Sequence, residues 1–381
     1  MFNLESELLS RSAAELTPLV RRALDLADGA ALGDISAEWQ QLSGGVGGGI
    51  GGTAVYRVSG TAQVDGQPRR WSLIAKLLVA RPDEAPHSSH YWRREASIYR
   101  YGLLEDLPGT LAAPRSFGVE DLGDAACLVW MEAVQDDSPL HWSLREFGLA
   151  ARHLGEFNGA YLAGETMPDV PWLSRDWIRQ DVARFASQVS QLEPYRRHEA
   201  IRRWLPDEIM TRAARLWDDR HVFLDALDRL PQTLCHYDAF RRNLLIRQRP
   251  DGSAQTVAVD WSFLGGGPLG AELVALFWVS YVFAEARADQ TQELDACLFE
   301  NYVEGLRTAG WRGDPRLARL GYTAAMGLRR LAGMAINAPV FASLIEAGGS
   351  LPPERLDCLI AAGAKIERGV EEARALIDMV G

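Results

Sequence analysis

Hydrophobic and polar positions change rhythm about a third of the way along the chain. In the first part, alternation dominates. Residues 54–64, AVYRVSGTAQV, and 69–80, RRWSLIAKLLVA, read as strands joined by a turn at Asp65-Gly66. Residues 89–104, SHYWRREASIYRYGLL, carry no strong breaker before Gly102 and predict a helix. Strand-like runs follow near 115–119 and 126–131, so five short strands with one inserted helix are expected. Ahead of them, residues 12–28 predict a helix opened by an S-x-x-E box at Ser12 and Glu15 and stopped at Gly29. Pro18 lies inside that stretch and offers Thr17 as a second candidate cap.

Beyond Val134 the period lengthens. Phe147, Ala151, Leu154, Phe157 and Tyr161 recur at steps of three and four, as on the buried face of a helix. The exception is 234–261, where LLIR and QTVAVDW flank a Pro-Asp-Gly turn at 250–252. The pattern predicts an α+β protein, mainly β over residues 1–132 and mainly helical over 133–381.

Composition narrows the classes. The 381 residues are 47% hydrophobic and 24% charged, and the net charge is -11. That balance fits a soluble globular protein and argues against nucleic acid as the partner. The apolar run at 273–283 is too short for a membrane span and reads as a buried helix. The first residues lack the basic and apolar regions of a secretory signal. Cys127, Cys235, Cys297 and Cys358 are scattered, without metal-site spacing. A cytoplasmic protein with reduced thiols and no membrane partner is expected, as a monomer or homodimer.

The candidate chemistry lies in CHYDAFRRNLLI followed by VAVDW. His236, Asp238 and Asn243 make H-x-D-x-x-x-x-N, and Asp260 ends the next apolar strand. Phosphoryl transfer to a hydroxyl needs such a set: one carboxylate to accept the proton, and an amide oxygen and second carboxylate to hold Mg²⁺ against the phosphates. The Pro-Asp-Gly turn returns Asp260 to the loop that holds Asp238. Upstream, Lys76 stands in an apolar strand where an ammonium needs a partner. Gly47, Gly49 and Gly52 match G-x-G-x-x-G, but a β-patterned run follows them. A Rossmann site would need a helix there. A phosphate-covering loop that leads into a strand and a mobile loop without a ligand both remain open.

These motifs resemble those of the aminoglycoside-phosphotransferase and choline-kinase group, which has a two-lobed protein-kinase-like fold. The resemblance covers residues from about Trp39 to about Leu276. It implies that Asp238 is the catalytic base, that His236 supports its loop, and that Asn243 and Asp260 bind Mg²⁺. It further implies that Lys76, paired with Glu95, contacts the phosphates of ATP or GTP, and that the backbone at Glu132 to Val134 contacts the base. One of the two loop arginines, with Arg241 the candidate, is expected to steady the γ-phosphoryl. Tyr237 stands where the group commonly has Gly, and Glu272 where Asp is usual. The implied activity is transfer of the γ-phosphoryl to a hydroxyl of a small acceptor such as an aminoglycoside, amino alcohol or sugar. An inactive nucleotide-binding scaffold and a protein kinase are the alternatives. Against the second, Phe240 replaces the lysine expected two residues after Asp238, and no D-F-G follows.

Two acidic and aromatic stretches are candidates for the acceptor's wall. One holds Trp172, Asp176, Trp177 and Asp181; the other holds Glu285, Asp289, Glu293, Glu300 and Glu304. Together they favour a cationic acceptor. The bland reading is a solvated helix face and core tryptophans.

Overall fold

A computed structural model of the protein describes residues 2–42, 53–81 and 84–380, without the side chains of residues 2–4 and 200. The chain divides into two compact units. One comprises residues 1–86, 90–107 and 112–136, and the other 87–89, 108–111 and 137–381.

The first unit opens with α1 (Phe2–Leu9) and α2 (Ala13–Ala23). Ser12 and Glu15 form the expected capping box. The helix stops at Ala23, five residues short of the expected end, and Pro18 sits within it. The sheet is β1 (Leu32–Ile35), β2 (Glu38–Leu42), β3 (Ala54–Val64), β4 (Gln67–Val79), β5 (Ser116–Asp121) and β6 (Ala126–Glu132). Its order is β1-β3-β4-β6-β5, with β2 also on β3 and every pairing antiparallel. Alternation is the reason for its one-sided core. Tyr56, Val58, Ala62 and Val64 of β3, and Trp71, Leu73, Ala75 and Leu77 of β4, share one core with Leu16 and Val20 of α2 and with Leu24 just after it. The polar strands β1 and β2, with the exposure patterns of edge elements, carry no clear alternation, and sequence reading missed them. From Ala75 onward β4 is buried on both faces. On the second face α3 (Arg94–Tyr101) packs against β5 and β6. It is shorter than the 89–104 expected, and Gly102, at φ 77°, ends it in the left-handed region.

In the second unit α4 (Leu144–Ala163) leads to α5 (Trp177–Arg184), α6 (Ala186–Ser190), α7 (Glu199–Arg202), α8 (Asp207–Asp218) and α9 (Arg220–Arg229). Four short strands follow: β7 (Gln232–Cys235), β8 (Leu244–Gln248), β9 (Ala254–Ala258) and β10 (Gly265–Pro268). β8 pairs with β9, and β10 with β7, both antiparallel. The rest is α10 (Leu273–Val282), α11 (Thr291–Thr308), α12 (Pro315–Glu346) and α13 (Pro353–Leu376). Nine of the ten α10 residues are buried, which explains its unbroken apolar run. Among the described residues no helix is long and apolar enough to cross a membrane.

Helices α4 and α11 pack closely because each presents glycine to the other. A Cβ on Gly155 would lie 2.2 Å from the Tyr302 carbonyl oxygen, and one on Gly305 would lie 2.1 Å from that of Arg152. Both contacts are with backbone, which cannot swing aside. Gly155→Ala should therefore destabilise the protein by about 1–3 kcal/mol despite the better helix propensity of alanine. Thermal unfolding checks this, and an unchanged or raised midpoint would contradict it.

Candidate active site

The site is built where β7 ends. The chain leaves the strand at Cys235, makes a loop through His236 to Asn243, and re-enters the β8–β9 hairpin. Leu244 pairs with Ala258, and the Val259 N–H donates to the Asn243 carbonyl at 2.9 Å. Asn243 and Asp260 therefore flank the open end of one hairpin. The Asn243 amide donates to the Asp238 carboxylate at 2.8 Å and to the Asp238 carbonyl at 2.9 Å. With Nδ2 spent on Asp238, the amide oxygen is what Asn243 can offer a cation. Asp260 adopts φ 62°, a left-handed conformation that Asp tolerates, and its Oδ1 accepts from Ser262 Oγ at 2.8 Å. Asp238, Asn243 and Asp260 are all partly exposed, so reactants can reach them.

His236 is fully buried and knits the loop to the hairpin. Its Nε2 lies 3.0 Å from the Val259 carbonyl, which can only accept, so Nε2 carries the proton. Nδ1 then accepts from the Asp238 N–H at 3.2 Å. The neutral tautomer is thereby fixed, and the ring, 4.5 Å from Trp261, supports the backbone of Asp238.

Glu272 holds the loop from the other side. One carboxylate oxygen accepts from the His236 N–H at 2.7 Å and the other from the Tyr237 N–H at 3.1 Å. The longer side chain thus reaches the loop. Asn158 of α4 stands behind it, donating to the Leu234 carbonyl at 2.7 Å and more weakly to Glu272 at 3.5 Å. Tyr302 of α11 donates to Asn158 Oδ1 at 2.8 Å and accepts from the Gly270 N–H at 3.2 Å. Sequence reading missed Asn158 and Tyr302. A signal existed: Asn158 lies four residues after Leu154 and seven after Ala151, on the helix's apolar face.

Tyr237 takes φ 65°, where glycine is favoured. Its ring stacks on Trp177 at 4.3 Å and 15°, and its hydroxyl donates to the Gly266 carbonyl at 3.2 Å. Arg329 of α12 donates to the Tyr237 carbonyl at 3.0 Å and lies 4.9 Å over the Trp177 ring. Arg329 was not anticipated; it comes from a distant helix with no local motif.

The structure brings Lys76 and Glu95 together, with Nζ 2.5 Å from the carboxylate. Both are buried, so each charge requires the other. Glu132 ends β6, and its carboxylate accepts from the Arg115 N–H at 3.2 Å; Val134 is buried just beyond. Arg241 lies 4.7 Å over the Trp142 ring and donates to the Pro139 carbonyl at 3.4 Å. Gly47, Gly49 and Gly52 lie outside the described residues.

The proposed acceptor wall is corrected in part. Trp177 is 1% exposed and Asp181 is 6% exposed, so both belong to the core. Burial raises Asp181 to about 6, with Arg329 and Arg184 opposing the shift. Glu285 pairs with Arg242 at 2.6 Å, and Asp289 with Arg287 at 2.6 Å. Glu293, Glu300 and Glu304 are exposed on α11. Trp172 is half-buried and Asp176 exposed, so the carboxylates of the two stretches are divided among core, ion pairs and solvent.

Residues 64–312, more than half of the chain, match the profile of the phosphotransferase enzyme family, APH. The chain belongs to that family and is a phosphotransferase. Among solved structures, it resembles the amicoumacin kinase hAmiN in complex with AMP-PNP, Ca²⁺ and Ami. The TM-score is 0.54 at 14% identity, over 87% of this chain and 88% of that one. It also resembles choline kinase from Cryptosporidium parvum, with a TM-score of 0.50 at 10% identity over 96% and 97% of the chains. The fold is protein-kinase-like, with a small antiparallel-sheet N-terminal region and a larger helical C-terminal region. No curated protein matches the sequence.

Burial raises Glu272 from its ordinary 4.5 to about 7, although the His236 and Tyr237 N–H bonds favour its charged form. The folded protein then keeps this proton over an interval where the unfolded chain has lost it. The stability it contributes is full below about 4.5 and is lost as pH rises through about 7. The difference in unfolding midpoint between the wild type and Glu272→Gln should therefore shrink from pH 5 to pH 8. Asp181 titrates in both proteins and cancels. A difference that widens over this range would contradict the assignment.

Proposed function

We propose that the protein transfers the γ-phosphoryl of ATP to a hydroxyl of a small acceptor. The reading rests on one observation: Asn243 bonds the Asp238 carboxylate while its main chain is bonded to the strand end that carries Asp260. In this reading a proton acceptor and two hard oxygen donors come from one loop and the hairpin that follows it.

In this reading the acceptor hydroxyl approaches Asp238, which takes its proton as the oxygen forms a bond to the γ-phosphorus. The bond from that phosphorus to the β–γ bridging oxygen breaks, and the nucleoside diphosphate leaves. Asn243 steers the Asp238 carboxylate by its amide bond, and His236 and Glu272 fix the backbone on which Asp238 is carried. Lys76, oriented by Glu95, would contact the donor's phosphates, and the backbone at Glu132 to Val134 would contact its base. The N-terminal unit is thus assigned to the nucleotide, and the C-terminal unit to the base, the metal and the acceptor. Asn243 and Asp260 would hold Mg²⁺. Their oxygen donors fit it, because Mg²⁺ is bound by one or two carboxylates, waters and the substrate's own phosphates rather than by a protein cage. When bound, the ion neutralises charge on the phosphates.

Asp238→Ala should lower turnover by about 10²- to 10⁴-fold and leave nucleotide affinity unchanged, because the base meets the acceptor only. A variant that keeps most of its turnover would remove Asp238 from the mechanism. Asp260→Ala should instead weaken metal-dependent nucleotide binding along with rate. Titration with nucleotide at several Mg²⁺ concentrations checks this, and an unchanged dependence would refute the metal assignment.

A further inference from the structure

Two arginines stand near the catalytic loop, and only one of them has a carboxylate partner among the described residues. Arg242 follows Asp238 by four residues, and its side chain is 46% exposed. Its guanidinium lies 3.8 Å over the Phe283 ring. Phe283 also stacks on Phe240 of the loop, at 5.7 Å and 14°. The turn after Phe283 carries Glu285, the partner of Arg242. Helix α13 packs on this same turn, with Cys358 Sγ 3.3 Å from the Ala286 carbonyl. Arg355 lies one helical turn before Cys358, on the face of α13 that meets the turn. It sits 5.4 Å over Phe341. Arg242 and Glu285 thus meet at this turn, and Arg355, on the helix packed against it, lies within electrostatic reach of Arg242.

We infer that the acceptor carries an anionic group, a carboxylate or a phosphate, received by Arg242 and Arg355 several bonds away from the hydroxyl presented to Asp238. This rests on the phosphotransfer reading above. Arg242 is held in place by Glu285, but Arg355 has no carboxylate partner among the described residues. Its Nε is shielded from solvent and makes no hydrogen bond. Glu354 and Asp357, beside it on α13, are exposed and pair with neither arginine. Burial, and then the nearby Arg242, push the Arg355 guanidinium below its ordinary value. An uncompensated, half-buried cation is costly, and an incoming anion removes that cost. The aromatic faces of Phe240, Phe283 and Phe341 would orient the two guanidiniums and exclude water from one side of the bound group.

The test is equilibrium binding to the full chain with a non-hydrolysable ATP analogue and Mg²⁺ present. The probes are hydroxycarboxylates, their neutral carboxamides, sugar phosphates, the free sugars and amino alcohols of matched length. At least one anionic class should bind tighter than its neutral counterpart, by on the order of tenfold, and lose that margin as salt rises. The two anionic classes, compared with each other, identify the group as carboxylate or phosphate. Arg355→Gln should abolish the margin while nucleotide affinity stays unchanged, and Arg355→Lys should restore part of it. Glu285→Gln, which frees Arg242, should increase it. The proposal is overturned if amino alcohols bind best, if no anionic class outbinds its neutral counterpart, or if Arg355→Gln keeps the margin while folded by circular dichroism. Turnover separates the two readings. Anionic probes that bind through Arg355 yet are never phosphorylated by the wild type would sink the kinase reading alone.

Discussion

Two hydrogen bonds from main-chain N–H groups to one buried carboxylate organise the catalytic half of this protein. Glu272 accepts from His236 and Tyr237, the two residues that precede the candidate base. A loop has no internal ladder to satisfy its backbone, so buried N–H groups there need an acceptor from elsewhere. Glu272 supplies it from the entrance of α10. The carboxylate is fully buried in turn and would be untenable without donors. Asn158 and Tyr302 extend the bonding to α4 and α11, whose glycine contacts hold those helices close. The loop's position is thus coupled to the packing of the helical core, and a small shift between α4 and α11 would be felt at Asp238.

Tyr237 shows how a departure from a family pattern is accommodated. A left-handed tyrosine costs roughly 1–2 kcal/mol relative to a relaxed backbone. Its neighbours offset that cost through the Trp177 stack, the bond to the Gly266 carbonyl and the Arg329 bond to its own carbonyl. The same ring explains a second oddity, the strand Gly265–Pro268, GGGP, which has almost no side chains. A Cβ on Gly267 would lie 1.7 Å from the Tyr237 hydroxyl, and one on Gly265 2.9 Å from the Ser174 carbonyl oxygen. The glycines make room for the tyrosine and for α5 behind it. A glycine-rich strand beside a catalytic loop is here a packing requirement, not a phosphate-binding signal.

Much of the site was legible because its chemistry is local. Asp238, Asn243 and Asp260 sit at fixed spacing around one hairpin, and the hairpin's turn is written in Pro-Asp-Gly. The pairing of Lys76 with Glu95 was legible for another reason: a lysine in so apolar a strand demands an anion, and the family resemblance pointed to a glutamate on the helix that follows. The polar strands β1 and β2 were missed because they lack the alternation that marks a strand with one buried face. The strand Gly265–Pro268 was missed because glycine and proline signal turns, not pairing. Asn158, Tyr302 and Arg329 act across long sequence separations, where neither periodicity nor motif carries information.

The acceptor's charge illustrates a deeper limit of composition. The chain has eleven more acids than bases, and several acids cluster in the helical region. Counting them points to a cationic ligand. Pairing removes several of them from that count. Asp181 is buried on α5, Glu285 is taken up by Arg242, and Asp289 by Arg287. The exposed acids of α11 face water, where salt screens them within about 10 Å. What a ligand feels is the charge left after the fold has matched its ions, and on the first turns of α13 that includes the unpaired Arg355 along with the exposed Glu354 and Asp357. A surface can therefore be acidic overall and still present a cation at the point of recognition, since buried and desolvated charges outweigh distant screened ones.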